Sequence, residues 1–377
     1  MSAFQIGTYL LAPYARTEKH IRELAECGID FVTCMALDRA ALDLMHRHGI
    51  RAIVSGAVPE WFGGHGENAG QLQNQRPLED YDRALERFAD HPAIMGVSVG
   101  DEPSALDFPW YGQIIARVQQ HLPEKMVYLN LYPSYGMLAS NTPEQMRFEL
   151  RADSYADYLS AYCRHVPADY LCFDCYPYSS GDAHVLLHCL RTASDACLRT
   201  DRRLWVVLQV NSHTPDAWIS TDQLRHQAFS AMAFGAETIQ WACYTAGWWH
   251  NQVLDERGEK TQQYEKLQTV NAEIRRLAGP YMRYRPVRTL DLSEDPVTCG
   301  VFTDLRAEKV LAGYRTGEDG EALMLYSVMP TELSFRADVP SAVLLTAAGE
   351  QRLHPDADGS FRIALSACQG ALLMLKS

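Results

Sequence analysis

Residues 94–103 read Ile94-Met-Gly-Val-Ser-Val-Gly-Asp-Glu-Pro103. An apolar, β-branched run stops at two acids and a proline, the profile of a buried strand that ends in a turn. Asp107 stands before Phe108-Pro109 as a helix start, and residues 108–122 follow with helical spacing. A second strand-like run, Lys125–Pro133, comes next. This strand–helix–strand unit sets a period that continues in both directions.

Further strands are expected at Gln5–Pro13, Ile29–Met35, Ile50–Gly56, Ala168–Tyr178, Leu204–Asn211 and Glu237–Tyr244. Helical patterns fill the intervals at 18–27, 39–48, 79–91, 154–166, 182–200, 221–234 and 261–278, with apolar residues three and four apart, as in Ile21, Leu24 and Ala25. Eight strands alternating with eight helices predict an α/β chain folded as a (β/α)8 TIM barrel. A doubly wound sheet is the competing arrangement, but it carries a glycine-rich turn after its first strand. Leu10-Leu-Ala-Pro-Tyr-Ala-Arg16 has no glycine.

After Pro280 the helical spacing stops. Strand-like runs at Pro286–Leu292, Thr298–Thr303, Lys309–Tyr314, Ala322–Ser327, Leu333–Ala337, Ala342–Thr346, Phe361–Leu365 and Ala371–Leu375 are separated by turns such as Gly317-Glu-Asp-Gly320. They predict a small antiparallel β-sandwich. The expected division is 1–282 for a catalytic barrel and 283–377 for a C-terminal sandwich.

The 377 residues are 47% apolar and 21% charged, enough for a sizeable core without staples. With 34 basic and 47 acidic residues the net charge is −13, which repels phosphate backbones, so nucleic acid is not an expected partner. No apolar run reaches the length of about 18 residues that a membrane helix needs. Met1-Ser-Ala-Phe-Gln-Ile lacks the basic and apolar regions of a secretory signal. A cytoplasmic location is therefore expected, with the ten cysteines as free thiols. Cys172 and Cys175 form a C-x-x-C on opposite sides of a strand, and no second pair follows, so neither a metal nor an organic cofactor is expected. The sandwich leaves packing on the barrel and homo-oligomer formation both open.

In a barrel, substrate meets the strand ends that lead into helices. Here those ends offer Tyr9, then Glu60 and Trp61, then Asp101 and Glu102, Asn130 and Tyr132, Asp174 and Tyr176, Gln209 and Asn211, and last Trp241, Tyr244, Trp248 and Trp249. Lys and Arg are nearly absent. Flat aromatic rings with amides and carboxylates fit sugar rings and hydroxyls, whereas a phosphate site calls for cations or a glycine turn. A small neutral carbohydrate is the expected partner. Two connections are long. Residues 57–78 contain Pro59-Glu-Trp-Phe-Gly-Gly-His65, and residues 134–153 contain Ser134-Tyr-Gly and Asn141-Thr-Pro. Loops of this length on the catalytic face commonly carry function. Of the 13 histidines, only His65 and His213 fall on that face.

Glu102 is the sharpest signal. A carboxyl against aromatic and apolar walls beside Asp101 should hold its proton above the usual range, as a general acid for a glycosidic oxygen must.

The stretches Ile94–Pro103, Tyr170-Leu-Cys-Phe-Asp-Cys-Tyr-Pro-Tyr178 and His226–Trp241, followed by Tyr264, resemble the clan A glycoside hydrolases, retaining (β/α)8 enzymes. Within that clan the chain resembles the β-galactosidase-like branch with a trailing β-sandwich. The resemblance spans roughly residues 5–280. It implies that Glu102 is the acid/base; Asp101 stands where the clan usually has Asn. It also implies a Trp at the floor of the sugar subsite after strand eight, where Trp241 and Tyr244 lie. At strand seven the clan places a nucleophilic Glu, but Leu204-Trp-Val-Val-Leu-Gln-Val-Asn211 has Gln209 in that neighbourhood, and an amide cannot take that role.

Three repairs are open. Asp174 could be the second carboxylate, as nucleophile or as base. Glu60 could swing in from its loop. The pair Asp101-Glu102 also resembles that of β-N-acetylhexosaminidases, in which the substrate's acetamido group is the nucleophile. The reading is a glycoside hydrolase that removes a terminal sugar from a small oligosaccharide or glycoside, with Glu102 and Asp174 catalytic. Tyr9, Trp61, Asp101, Asn130, Tyr132, Tyr176, Gln209, Asn211, Trp241, Tyr244, Trp248 and Trp249 are the expected substrate-binding residues. The alternatives are the substrate-assisted route and a non-catalytic carbohydrate-binding barrel. A lyase or isomerase would want a Lys base or a metal triad, and the strand ends supply neither.

Overall fold

The computed structural model describes residues 3–62, 64–137, 140, 142–179, 184–245, 247 and 249–376. Eight parallel strands come first: β1 (Gln5–Tyr9), β2 (Phe31–Ala36), β3 (Arg51–Ser55), β4 (Ile94–Asp101), β5 (Met126–Asn130), β6 (Tyr170–Cys175), β7 (Arg203–Gln209) and β8 (Ala236–Ala242). Their order in the sheet is β5-β4-β3-β2-β1-β8-β7-β6. One parallel bridge, Leu131 to Phe173, joins the two outer strands and closes the barrel. The Leu131 N–H donates to the Cys172 carbonyl at 2.9 Å to make it. The fold is the expected (β/α)8 barrel.

Helices lie between the strands in chain order, and their starts are written in the sequence. Thr17, Asp38, Ser154 and Ser220 each accept a backbone N–H at a helix N-terminus. Residues 134–153, expected as an open loop, hold a helix at Pro143–Leu150. Thr142 and Gln145 close a capping box around it, with Pro143 at its first position.

The barrel interior is aromatic at its lower end. Trp205 packs on Phe31 and Tyr170 with ring centroids 5.8 and 5.6 Å apart, and Tyr128 stacks on Tyr170 at 6.5 Å. Gly7 makes this layer fit, because a Cβ there would come within 2.3 Å of the Phe31 ring. Above it sits a polar layer. Gln240 donates to the Tyr128 hydroxyl at 3.1 Å and accepts from Thr33, and Tyr128 also meets the Tyr9 hydroxyl.

By packing, the chain forms two compact units. One comprises Gln5–Ile219 and Thr238–Glu265; the other holds Ser220–Glu237 with the chain from Lys266 onward. In the second unit, antiparallel pairing begins at Arg285 and forms sheets of four and six strands. Their facing side chains, among them Phe302, Phe335, Phe361, Leu323, Leu325 and Leu373, form one apolar core. This is the expected β-sandwich. Among the described residues it has ten strands rather than eight. The run 298–303 is broken into Val297–Cys299 and Phe302–Ala307, and Gly349–Leu353 pairs as an outer strand. That strand, Gly-Glu-Gln-Arg-Leu, is mostly exposed, so it lacks the alternation that marks a half-buried strand.

Candidate active site

The strand ends of β4, β5 and β6 bring three acids around one amide. Asn130 Nδ2 donates to Asp101 at 3.0 Å and to Asp174 at 2.9 Å. The Cys172 thiol donates to Asn130 Oδ1 at 3.5 Å, which fixes the amide with its nitrogen toward the acids. Cys172 and Asp174 share the inward face of β6, two residues apart. Cys175 faces the other way and meets Cys189, as the alternation requires.

Glu102 follows Asp101 at φ +44°, a left-handed conformation rare for a non-glycine residue and typical of functional sites. The surroundings over-determine it. Its N–H donates to the Asn130 carbonyl at 3.0 Å. The Tyr158 hydroxyl donates to the Pro103 carbonyl at 2.7 Å and accepts from the Tyr132 N–H at 3.3 Å. The loop after β3 presses on the same turn at Gly64, where a Cβ would come within 2.6 Å of Pro103 Cα.

This turn aims Glu102 at Asp174. The nearness of the Asp174 carboxyl favours the protonated form of Glu102. Burial, then the charges of Asp174 and Asp101, hold Glu102 well above the usual carboxylate range. Burial and the charge of Asp101 push Asp174 up to about 7, against the opposing pull of Asn130 and a hydrogen bond from Tyr176. Burial pushes Asp101 up to about 6, with Asn130 again opposing and Glu60 adding to the rise. Acids this close cannot all be charged at once.

Other expected residues surround this cluster. Tyr132 is buried, and Glu102, Glu149, Asp101 and Asp174 all act on its hydroxyl. Tyr176 packs edge-on against Trp249, with centroids 4.5 Å apart. Trp61 pairs with Gly100 in a strand-like bridge at the end of β4, and its indole N–H is buried without a partner. Glu60 accepts from the Gly56 N–H at 3.0 Å and leaves its other oxygen buried and unpartnered. Tyr9 lies just beneath, in the polar layer. His213 is exposed, with its ring 6.1 Å from Trp249; His65 precedes the short helical turn 66–68 without a side-chain cap. Trp248 lies outside the described residues.

Two expected residues lie away from the acids. The register of β1 with β8 pairs Gly7 with Gln240 and Thr8 with Trp241. Gln240 points into the barrel, so Trp241, fully buried, points out of it. Tyr244 is surrounded by Cys27, Tyr264, Glu23 and Glu26, beside the first helix and away from the acids. Gln209 uses both amide hydrogens, on Ser179 Oγ at 2.7 Å and on the Asn211 carbonyl at 2.9 Å, and accepts from the Tyr178 N–H at 3.0 Å. It fastens the loop after β6. Asn211 accepts from the Cys243 N–H.

Glu149 is a residue that the strand-end reading passed over. It sits on the helix Pro143–Leu150, its charge reaches both Glu102 and Tyr132, and its Oε2 is buried without a partner. The signal was the Thr142-Pro-Glu-Gln145 capping box, which turns that loop into a helix and carries Glu149 to the mouth of the barrel. Among the described residues, no group of three acids, histidines or cysteines is arranged to hold a metal ion.

No family model and no curated protein matches this sequence. Solved structures do. A Bacteroides thetaiotaomicron VPI-5482 protein provisionally classed as an α-L-fucosidase aligns over 71% of this chain and 96% of its own, at 10% identity and a TM-score of 0.52. The chain shares its barrel fold with glycoside hydrolases. The endo-1,4-β-mannanase of Rhizomucor miehei aligns over 70% of this chain and 95% of its own, at 11% identity and a TM-score of 0.49. For the Pseudomonas stutzeri endoglucanase Cel5A the shares are 71% and 93%, with 14% identity and a TM-score of 0.46.

Proposed function

We propose that this protein is a glycoside hydrolase that removes a terminal sugar from a small oligosaccharide or glycoside. The observation that carries the reading is the Glu102–Asp174 pair, held at the barrel mouth by Asn130 and by a strained turn. Glu102 keeps its proton at neutral pH and donates it to the departing glycosidic oxygen. Asp174, ionised once substrate separates the two carboxyls, is the second carboxylate. It acts on the anomeric carbon directly or through water. Separations of about 5–5.5 Å in the complex would mean a covalent intermediate, and about 6.5–9.5 Å would mean an activated water. Asp101, Asn130, Tyr132, Tyr176, Trp61 and Trp249 surround the sugar.

The proposed limits of the catalytic barrel and the sandwich are 1–282 and 283–377, which follow the change from parallel to antiparallel strands. A cytoplasmic setting fits ten cysteines that are all free. No helix among the described residues is long and apolar enough to cross a membrane.

The deciding experiment is an aryl-glycoside panel of hexosides, pentosides and N-acetylhexosaminides in both anomers, with wild type and Glu102→Gln run side by side. Release that falls by orders of magnitude in the variant supports the reading. Activity confined to acetamido sugars would assign the nucleophile to the substrate, and equal rates in both proteins would remove Glu102 as the acid. Binding without turnover would make this a carbohydrate-binding barrel.

A further inference from the structure

Beside the acid cluster lies a second cleft, of ≈ 710 Å³, walled by the connections that follow β7 and β8. That volume is within the range of about 300–1,000 Å³ typical of small-molecule sites. Trp218 and Trp249 supply ring surface, both half-buried, and Gln252, Asp255 and Arg257 supply hydrogen-bonding groups. Trp249 belongs to both places. Its ring meets Tyr176 edge-on, and Tyr176 in turn lies beside Asp174.

The walls are tied to each other. Ser212 and His250 exchange backbone hydrogen bonds at 3.0 and 2.9 Å. Asn251 Nδ2 donates to the Pro215 carbonyl at 2.9 Å and also to the Ala217 carbonyl. Asp255 accepts from the Arg257 and Glu259 N–H groups, each at 2.9 Å, and pairs with the Arg257 guanidinium. A cleft braced in this way loses little entropy when it takes a ligand. Mixed ring faces and polar edges suit a sugar better than an apolar group, which would strand the polar edges.

We infer that this cleft is the leaving-group subsite, and that the substrate is an oligosaccharide whose second and third rings lie against Trp249 and Trp218. The inference rests on the hydrolase reading for the first ring. Trp218 lines this cleft from the connection after β7, so its removal should spare the chemistry at Glu102 and Asp174.

The test uses Trp218→Ala and Trp218→Phe against wild type. The probes are aryl monoglycosides and unmodified β-1,4-linked di- and trisaccharides of glucose, mannose and galactose. In Trp218→Ala, aryl monoglycoside hydrolysis should be unchanged while KM for the trisaccharide rises about tenfold; Trp218→Phe should recover most of that loss. Equal effects on both substrate types, or none on either, would overturn the subsite while leaving the hydrolase reading in place. If wild type turns over nothing, that reading falls, and calorimetric titration with the trisaccharides decides the cleft alone. Saturable binding lost in Trp218→Ala keeps it, and absence of binding removes it.

Discussion

Asn130 donates to Asp174 at 2.9 Å from the same nitrogen that holds Asp101, so one neutral amide stabilises the charge of two buried acids. Replacing it leaves both with less support. In Asn130→Ala the acid limb of the kcat/KM profile should move to higher pH, because the lost hydrogen bonds had lowered both acids. A fall in rate of about 10–100-fold should accompany the move. An unshifted limb would mean that Asn130 is only a spacer.

Removing the acid itself is the more severe change. Glu102→Gln should lower kcat by roughly 10²–10⁴-fold on a substrate with a poor leaving group, and by much less on one that needs no proton. The alkaline limb of the profile should vanish with it. Loss of activity on both kinds of leaving group alike would point to damage to the turn rather than to loss of a proton donor.

Glu149 tests the influence of a charge that no partner satisfies. Its carboxylate raises Glu102 further. Glu149→Gln should therefore shift the alkaline limb to lower pH and change the maximal rate only a few-fold. A null effect on the limb would place Glu149 outside the site's electrostatic reach.

Asp174 also makes a prediction about stability. Its folded-state proton affinity is raised from 3.8 to about 7, so the folded state binds more protons than the unfolded chain across that window. Its contribution is fully present below pH 3.8 and is lost as pH rises toward 7. Asp174→Asn removes the buried charge. Its melting temperature relative to wild type should rise between pH 4 and pH 8, even though activity is lost. A constant difference across that range would contradict the raised value.

Gln209 bears on whether the strand-seven amide is a lost nucleophile. Both of its amide hydrogens are engaged, one by a carbonyl. Gln209→Glu would set a carboxylate against that carbonyl and should destabilise the protein by about 1–3 kcal/mol without raising activity. Denaturant unfolding checks the first statement and the glycoside panel the second. A gain in turnover would show that β7 can still present a nucleophile.

Asp101, Glu102, Asn130 and Asp174 come together because strand ends of a barrel converge by topology, whichever residues they carry. Trp241 falls outside that convergence for a reason equally physical. Adjacent positions on a strand face opposite sides, and which side is inward depends on register with the neighbouring strand. The pairing of Gly7 with Gln240 decides it, and nothing local to Gln240-Trp241 encodes that pairing.

The alternation of strands and helices, the antiparallel region after it, and the acid pair at the end of β4 were legible in the order of residues alone. These are local properties: apolar period, caps, and a turn forced by proline. That Asn130 bridges two acids, that Glu149 reaches Glu102 from a helix far along the chain, and that Gln209 fastens a loop became visible with the folded barrel. Each depends on distances between residues far apart in sequence, which are fixed when the barrel closes between Leu131 and Phe173.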